Sequence, residues 1–126
     1  MENLKIDATA KTPGIDLNYE TGTLTFVGRS MPENPRKFYK KSVKWVEEYV
    51  ENPKPKTIVN IEYEYINTAS SKSLIKILMI LSILANKLDD IDFNWGYEIG
   101  DDDMLDMAND FQEILGIKFN LSTRKF

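Results

Sequence analysis

Apolar and polar residues alternate along residues 57–66 (TIVNIEYEYI), so Val59, Ile61, Tyr63 and Tyr65 share one face and Asn60, Glu62 and Glu64 the other. That two-residue period predicts a strand with one wet face, since a strand buried on both sides reads apolar throughout. Shorter β-rich runs at residues 15–19 and 23–27 flank Glu20-Thr21-Gly22, which predicts a hairpin. The period then changes. Phe38, Ser42, Trp45, Val46, Tyr49 and Val50 recur at helical spacing behind Asn34 as N-cap and Pro35 at the first helical position. This helix should end by Asn52-Pro53.

An apolar helix is expected over residues 72–88, a break at Asp89-Asp90 and a strand over residues 91–98. A helix over residues 101–115 turns Met104, Leu105, Ala108, Phe111, Ile114 and Leu115 inward, with Gly116 placed to end it. A last strand covers residues 118–123. The order β-β-α-β-α-β-α-β predicts an α/β sandwich with a mixed, mostly parallel sheet opened by an antiparallel hairpin, and about three main helices. With 126 residues the chain is expected to form one domain, residues 1–126.

Composition narrows the chemistry. The chain has no Cys and no His. Thiolate metal sites, cysteine nucleophiles and histidine general bases are therefore excluded. Net charge is -4, but residues 1–57 carry +2 and residues 58–126 carry -6. An acidic chain with one small basic cluster is a poor general nucleic-acid binder, because duplex affinity needs many phosphate contacts. The longest apolar run, residues 74–85, is shorter than the roughly 20 residues of a bilayer span, and residues 1–10 lack the pattern of a signal peptide. A soluble cytoplasmic protein is expected, with no nucleic-acid or membrane partner and no cofactor.

Four sets of residues could carry chemistry. Asn67-Thr68-Ala69-Ser70-Ser71-Lys72-Ser73 gathers four hydroxyls at a strand-to-helix junction. Capping of the helix needs one of them. A helix start with spare N–H groups also accepts an anion, and a phosphorylated hydroxyl there would add about -1.5 to -2 charge. Arg36, Lys37, Lys40, Lys41 and Lys44 concentrate at the start of the first helix, with Glu47, Glu48 and Glu51 at its end. They form a solvated face, relieved by pairing of Lys40 and Lys44 with Glu47 and Glu48, or a docking patch for an acidic partner. Asp101-Asp102-Asp103, with Asp106 and Asp110, suits a helix start better than a magnesium site, because no glycine-containing calcium-loop pattern accompanies it. Tyr63, Tyr65, Phe93, Trp95 and Tyr97 alternate as strand residues do and are expected to fill a core.

Taken in order, the segments resemble a known family. Thr12-Pro13-Gly14-Ile15, Gly22-Thr23-Leu24, Met31-Pro32-Glu33-Asn34 and Trp45 are followed by Tyr65-Ile66-Asn67-Thr68-Ala69-Ser70-Ser71-Lys72. Trp95-Gly96-Tyr97-Glu98, Asp101-Asp102-Asp103-Met104 and Asp110-Phe111 complete the set. The chain resembles the SiaC-like regulatory phosphoproteins, which are similar to STAS-domain anti-anti-sigma factors. The resemblance implies a non-enzymatic switch. A kinase of the histidine-kinase-like ATPase type would phosphorylate it, a PP2C-type phosphatase would reverse this, and the free form would bind an effector such as a diguanylate cyclase. By position the phosphoacceptor falls on Thr68, with Ser70 and Ser71 as alternatives and Asn67, Ala69 and Lys72 shaping the loop. Ala69 stands where the family often has Ser, and Ala108-Asn109 replaces a frequent Gly-Glu. Partner contacts are expected from Pro32, Glu33, Asn34, Lys37, Lys40, Lys41 and Lys44. The rival readings are a small-anion or nucleotide-binding module at the helix start and a metal-dependent enzyme using Glu62, Glu64 or the Asp101–Asp103 carboxylates.

Overall fold

The computed structural model describes residues 1–87 and 90–126. Its elements follow in the order β1 (Leu4–Ile6), β2 (Gly14–Asn18), β3 (Thr23–Ser30), α1 (Pro35–Tyr49), β4 (Lys56–Ile66), α2 (Thr68–Ala85), β5 (Asp90–Glu98), α3 (Asp102–Leu115) and β6 (Phe119–Arg124). All six strands form one sheet, ordered β1 to β6 as in the sequence. β1, β2 and β3 are antiparallel neighbours, and β3, β4, β5 and β6 are parallel. The expected mixed sheet and three helices are present. The sequence reading missed β1, whose three residues are too few to show a period.

The β2–β3 hairpin closes through Gly22, whose N–H donates to the Asn18 carbonyl at 3.0 Å. Gly22 has φ 69, and a Cβ there would lie 2.4 Å from the Lys56 carbonyl oxygen, so both conformation and space require glycine. Each crossover helix returns the chain to the start of the next parallel strand. One face of the sheet therefore receives the helices, and Leu17, Leu24, Phe26, Val59, Ile61, Tyr63, Phe93 and Trp95 are buried. From α2 come Leu74, Ile77, Leu78, Leu81 and Leu84. This apolar helix is long enough by length and composition to cross a membrane, yet these five side chains belong to the core.

Several expectations are corrected. Tyr65 does not join Tyr63 in the core but is 44% exposed. The register shows why: Gly28 pairs with Tyr63 and Arg29 with Tyr65, so β4 carries one extra residue, Glu64. A bulge shifts the alternation by one position, which turns Tyr65 outward and Ile66 inward. In α1 the buried aromatic at the first turns is Tyr39, while Phe38 and Val50 are half-buried. In α3 Ile114 is exposed, and Leu105 and Leu115 are half-buried. α2 begins four residues earlier than expected. Its anticipated end at Leu88, and Asp89 of the anticipated break, lie outside the described residues, whereas Asp90 opens β5.

The opposite sheet face is polar. Asn120 Nδ2 donates to Asn94 Oδ1, and Asn94 Nδ2 to Asn60 Oδ1, each at 2.9 Å, which makes an amide ladder over three strands. Beside it Arg124 pairs with Glu62 at 2.6 Å. Gly96 lies beneath that pair, where a Cβ would come within 3.2 Å of Arg124 Cδ.

Candidate functional site: the start of α2 and the groove beside it

The strand-to-helix junction is not a loop. Asn67 is the N-cap of α2, with Oδ1 accepting from Ser70 N–H at 2.8 Å, and Thr68 is the first helical residue. Asn67 N–H in turn donates to the Ser30 carbonyl at 3.0 Å, which ties the cap to the end of β3. The expected start at Lys72 arose from counting apolar residues. The first turn of α2 carries Thr68, Ala69, Ser70 and Ser71 in place of large apolar residues, so no apolar period marks it.

The hydroxyls at this turn have different fates. Thr68 and Ala69 are exposed. Ser70 is fully buried, and its hydroxyl has no hydrogen-bond partner. Burial removes Ser70 from the hydroxyls that another protein can reach. Ser71 Oγ donates to the Thr68 carbonyl at 2.7 Å. Lys72 is exposed one turn beyond Thr68. Ser71 N–H is bonded to the Asn67 carbonyl, so the cap residue satisfies the third and fourth N–H groups of the turn. Among the described residues the N–H groups of Thr68 and Ala69 have no such partner. A helix start of this kind has positive character that favours an anion. No acidic residue occupies the first turn of α2.

A buried hydroxyl chain supports the turn from below. Ser30 Oγ and Tyr39 OH lie 2.6 Å apart, and Tyr39 OH and Tyr63 OH 2.9 Å apart. Burial pushes the Tyr39 hydroxyl pKa up, with the hydrogen bonds to Ser30 and Tyr63 pulling back. Tyr63 is pushed well above the usual phenol value by burial first, then by Tyr39. The chain joins β3, α1 and β4 just where Ser30 holds the Asn67 cap. Sequence reasoning missed Tyr39 and Ser30: Tyr39 falls on the helical period of Ser42, Val46 and Tyr49, but the predicted stripe takes its neighbour Phe38 instead, and no motif marks Ser30.

Beside this turn a groove of about 500 Å³ runs between α1 and α2. Asn34, Lys37, Lys40 and Lys44 of the expected partner surface line it, joined by Arg36, Tyr39, Val43, Glu47, Ser73 and Lys76. Lys41 points elsewhere, into a hollow formed with Trp45 and residues 1–4. Pro32 and Glu33 precede the helix and line neither. The ion pairs among the described residues are Arg29–Glu64, Lys56–Asp90, Lys56–Asp92 and Arg124–Glu62. The expected pairing of Lys40 and Lys44 with Glu47 and Glu48 is therefore not made, and the cations stay available.

The carboxylates do not converge. Glu62 and Glu64 are held by Arg124 and Arg29 on the open sheet face. Asp101 caps α3 through Met104 N–H at 3.1 Å, with Asp102 and Asp103 in its first turn. Among the described residues no three acids come together in a way that could hold a metal ion. Phe93, Trp95 and Tyr63 fill the core, whereas Tyr97 is half-buried.

Comparison with known proteins bears on this site. The model of the SiaC family of regulatory phosphoproteins matches residues 6–124. An uncharacterised protein of Pseudomonas aeruginosa strain UCBPP-PA14 is 26% identical over 119 residues, covering 94% of each chain. The solved structure of SiaC of Pseudomonas aeruginosa superposes with a TM-score of 0.88 at 25% identity, covering 98% of this chain and 100% of that one. A further structure holds SiaC of the same organism in complex with the diguanylate cyclase SiaD, whose activator it is. Its SiaC chain matches with a TM-score of 0.87 at 25% identity over 96% of this chain and 99% of that one.

Proposed function

The chain belongs to the SiaC family of regulatory phosphoproteins, and on that premise we propose that it is a non-enzymatic signalling switch set by phosphorylation of Thr68. The observation that carries the reading is the contrast within one helical turn: Thr68 is exposed, while Ser70 is buried. Ser71 already donates its hydroxyl hydrogen to the backbone, which leaves Thr68 as the better presented acceptor. A phosphate on Thr68 would sit at the positive end of α2 beside unpartnered N–H groups. It would therefore leave the helix intact and act by changing the charge of the surface. A kinase of the histidine-kinase-like ATPase type would add the phosphate and a PP2C-type phosphatase would remove it. The free form would engage an effector, for which the diguanylate cyclase complexed with the Pseudomonas SiaC is the precedent. The whole chain, residues 1–126, would work as one cytoplasmic unit.

The test is intact mass with phosphosite mapping after co-expression with a kinase of the histidine-kinase-like ATPase type. A single phosphate that disappears in Thr68→Ala and persists in Ser71→Ala is the expected result. Phosphate that persists in Thr68→Ala, or its absence with a kinase shown to be active, overturns the assignment.

A further inference from the structure

The two edges of the sheet are not alike. β1 is three residues long, too short to offer another strand much backbone. β6 ends the sheet on the other side and pairs with β5 in unbroken register, from Phe119 beside Phe93 to Arg124 beside Glu98. Residues 114–126 contain no proline, and Asn120 to Arg124 are all exposed. Among the described residues no strand pairs with the outer side of β6. Such an edge offers free backbone N–H and C=O groups to a further strand.

Two side chains point to the identity of that strand. Leu121 is in register with the fully buried Trp95, so it projects to the helix side of the sheet, yet it is 42% exposed because no strand follows β6. On the open face the amide ladder stops short. Asn120 Nδ2 reaches back to Asn94, which turns Oδ1 toward the edge, and among the described residues that oxygen accepts nothing.

We propose that β6 pairs antiparallel with β6 of a second copy of this chain, about a two-fold axis at Leu121. A second copy is favoured over a foreign strand because the edge is complementary to itself. Side chains must meet on matching faces, and this register satisfies that condition. Leu121 then lies opposite Leu121 of the second copy, and each covers the other's exposed surface. Asn120 lies opposite Ser122 of the second copy, whose hydroxyl donates to the free Oδ1. The charges fit as well. Lys118 approaches Arg124 of the second copy, which is already ion-paired to its own Glu62 and stands in register with its own Glu98, so the lysine meets a net negative group. Two strands this short bury less than about 1,200 Å², so the dimer is weak and depends on concentration. The pairing uses neither α1 nor the start of α2, and it holds whether or not Thr68 is the phosphoacceptor.

The test is sedimentation of the full chain from micromolar to millimolar concentration, with urea unfolding as the control for folding. Sedimentation is expected to rise from monomer toward dimer. Leu121→Lys sets two cations at the axis and should weaken association about tenfold, with the unfolding midpoint little changed. The chain has no cysteine, so Leu121→Cys adds a single thiol. Opposed residues of an antiparallel pair stand about 4.5–5.5 Å apart at Cα, within disulfide reach. Oxidised glutathione should therefore link Leu121→Cys into a dimer. It should not link Thr123→Cys, whose two copies stand about 13 Å apart in this register.

A chain that stays monomeric at millimolar concentration, association unchanged by Leu121→Lys, or equal cross-linking from both cysteines overturns the pairing. Growth beyond the dimer, or weakening by Lys5→Glu on β1 in place of Leu121→Lys, assigns the association to a head-to-tail contact and also overturns it.

Discussion

Helices α2 and α3 open with the same kind of capping hydrogen bond and differ in the charge that follows it. Each has an amide or carboxylate N-cap whose oxygen accepts from the N–H three residues on, at 2.8 Å from Asn67 to Ser70 and 3.1 Å from Asp101 to Met104. In α3 the next two residues are Asp102 and Asp103, so the positive end of the helix is neutralised by its own sequence. In α2 the next two are Thr68 and Ala69, and the first turn has no acid. The first arrangement is complete as synthesised. The second leaves a charge vacancy at an exposed hydroxyl, which is what a helix start needs if negative charge is to be added and removed during the life of the protein.

The sharpest break of this comparison uses the buried hydroxyl of α2. Ser70→Asp forces a carboxylate into a fully buried position with no cationic partner and is expected to destabilise the chain by about 3 kcal/mol or more, measured by urea unfolding. Little or no loss would mean that the turn opens readily and that Ser70 is reachable after all. Next in size is Tyr39→Phe, which leaves the buried Ser30 and Tyr63 hydroxyls without their shared partner and should cost about 2 kcal/mol. The pH dependence has a definite sign. Burial raises both tyrosines, so the folded chain keeps protons that the unfolded chain releases above about pH 10. Their contribution is fully present below that pH and is lost as pH rises toward the folded values. The alkaline decline should be shallower in Tyr39→Phe, which a urea series between neutral and strongly alkaline pH measures.

The smallest effect is the most direct. Thr68→Asp places in α2 the acid that α3 already has, and should stabilise by about 0.5 kcal/mol at low salt. The double change Asp102→Asn, Asp103→Asn should cost α3 a similar amount, and both effects should shrink as salt is raised. If Thr68→Asp destabilised, the positive end of α2 would already be satisfied and the contrast would fail.

Much of this was legible in the sequence. The strand period of residues 57–64, the Asn34-Pro35 helix start and the Gly116 stop were all marked by residues that act locally, and Gly116 does adopt the left-handed conformation with φ 66. The hydroxyl cluster was legible too, but not which hydroxyl is reachable. That depends on the true start of α2, and a polar first turn conceals a helix from any count of apolar residues. The outward turn of Tyr65 was illegible for another reason: the bulge at Glu64 is a mismatch between two strands and leaves no signature in one of them. The groove is of the same kind. Lys40 and Lys44 were noticed, but Lys76 lies 32 positions further on and meets them only because α1 and α2 lie side by side.

The sheet has a property that bears on how the chain comes to be folded. Its strands stand in space in the order in which they are made, so each finds its neighbour in the segment that left the ribosome before it. No strand has to be inserted between two already paired. A partial product ending after β4 already owns a four-stranded sheet with α1 to cover it. The remaining units, α2 with β5 and α3 with β6, can be added one at a time at the growing edge. The usual delay of a parallel sheet, which comes from joining distant segments, is thereby kept short, and a vectorial route from first strand to last is built into the topology.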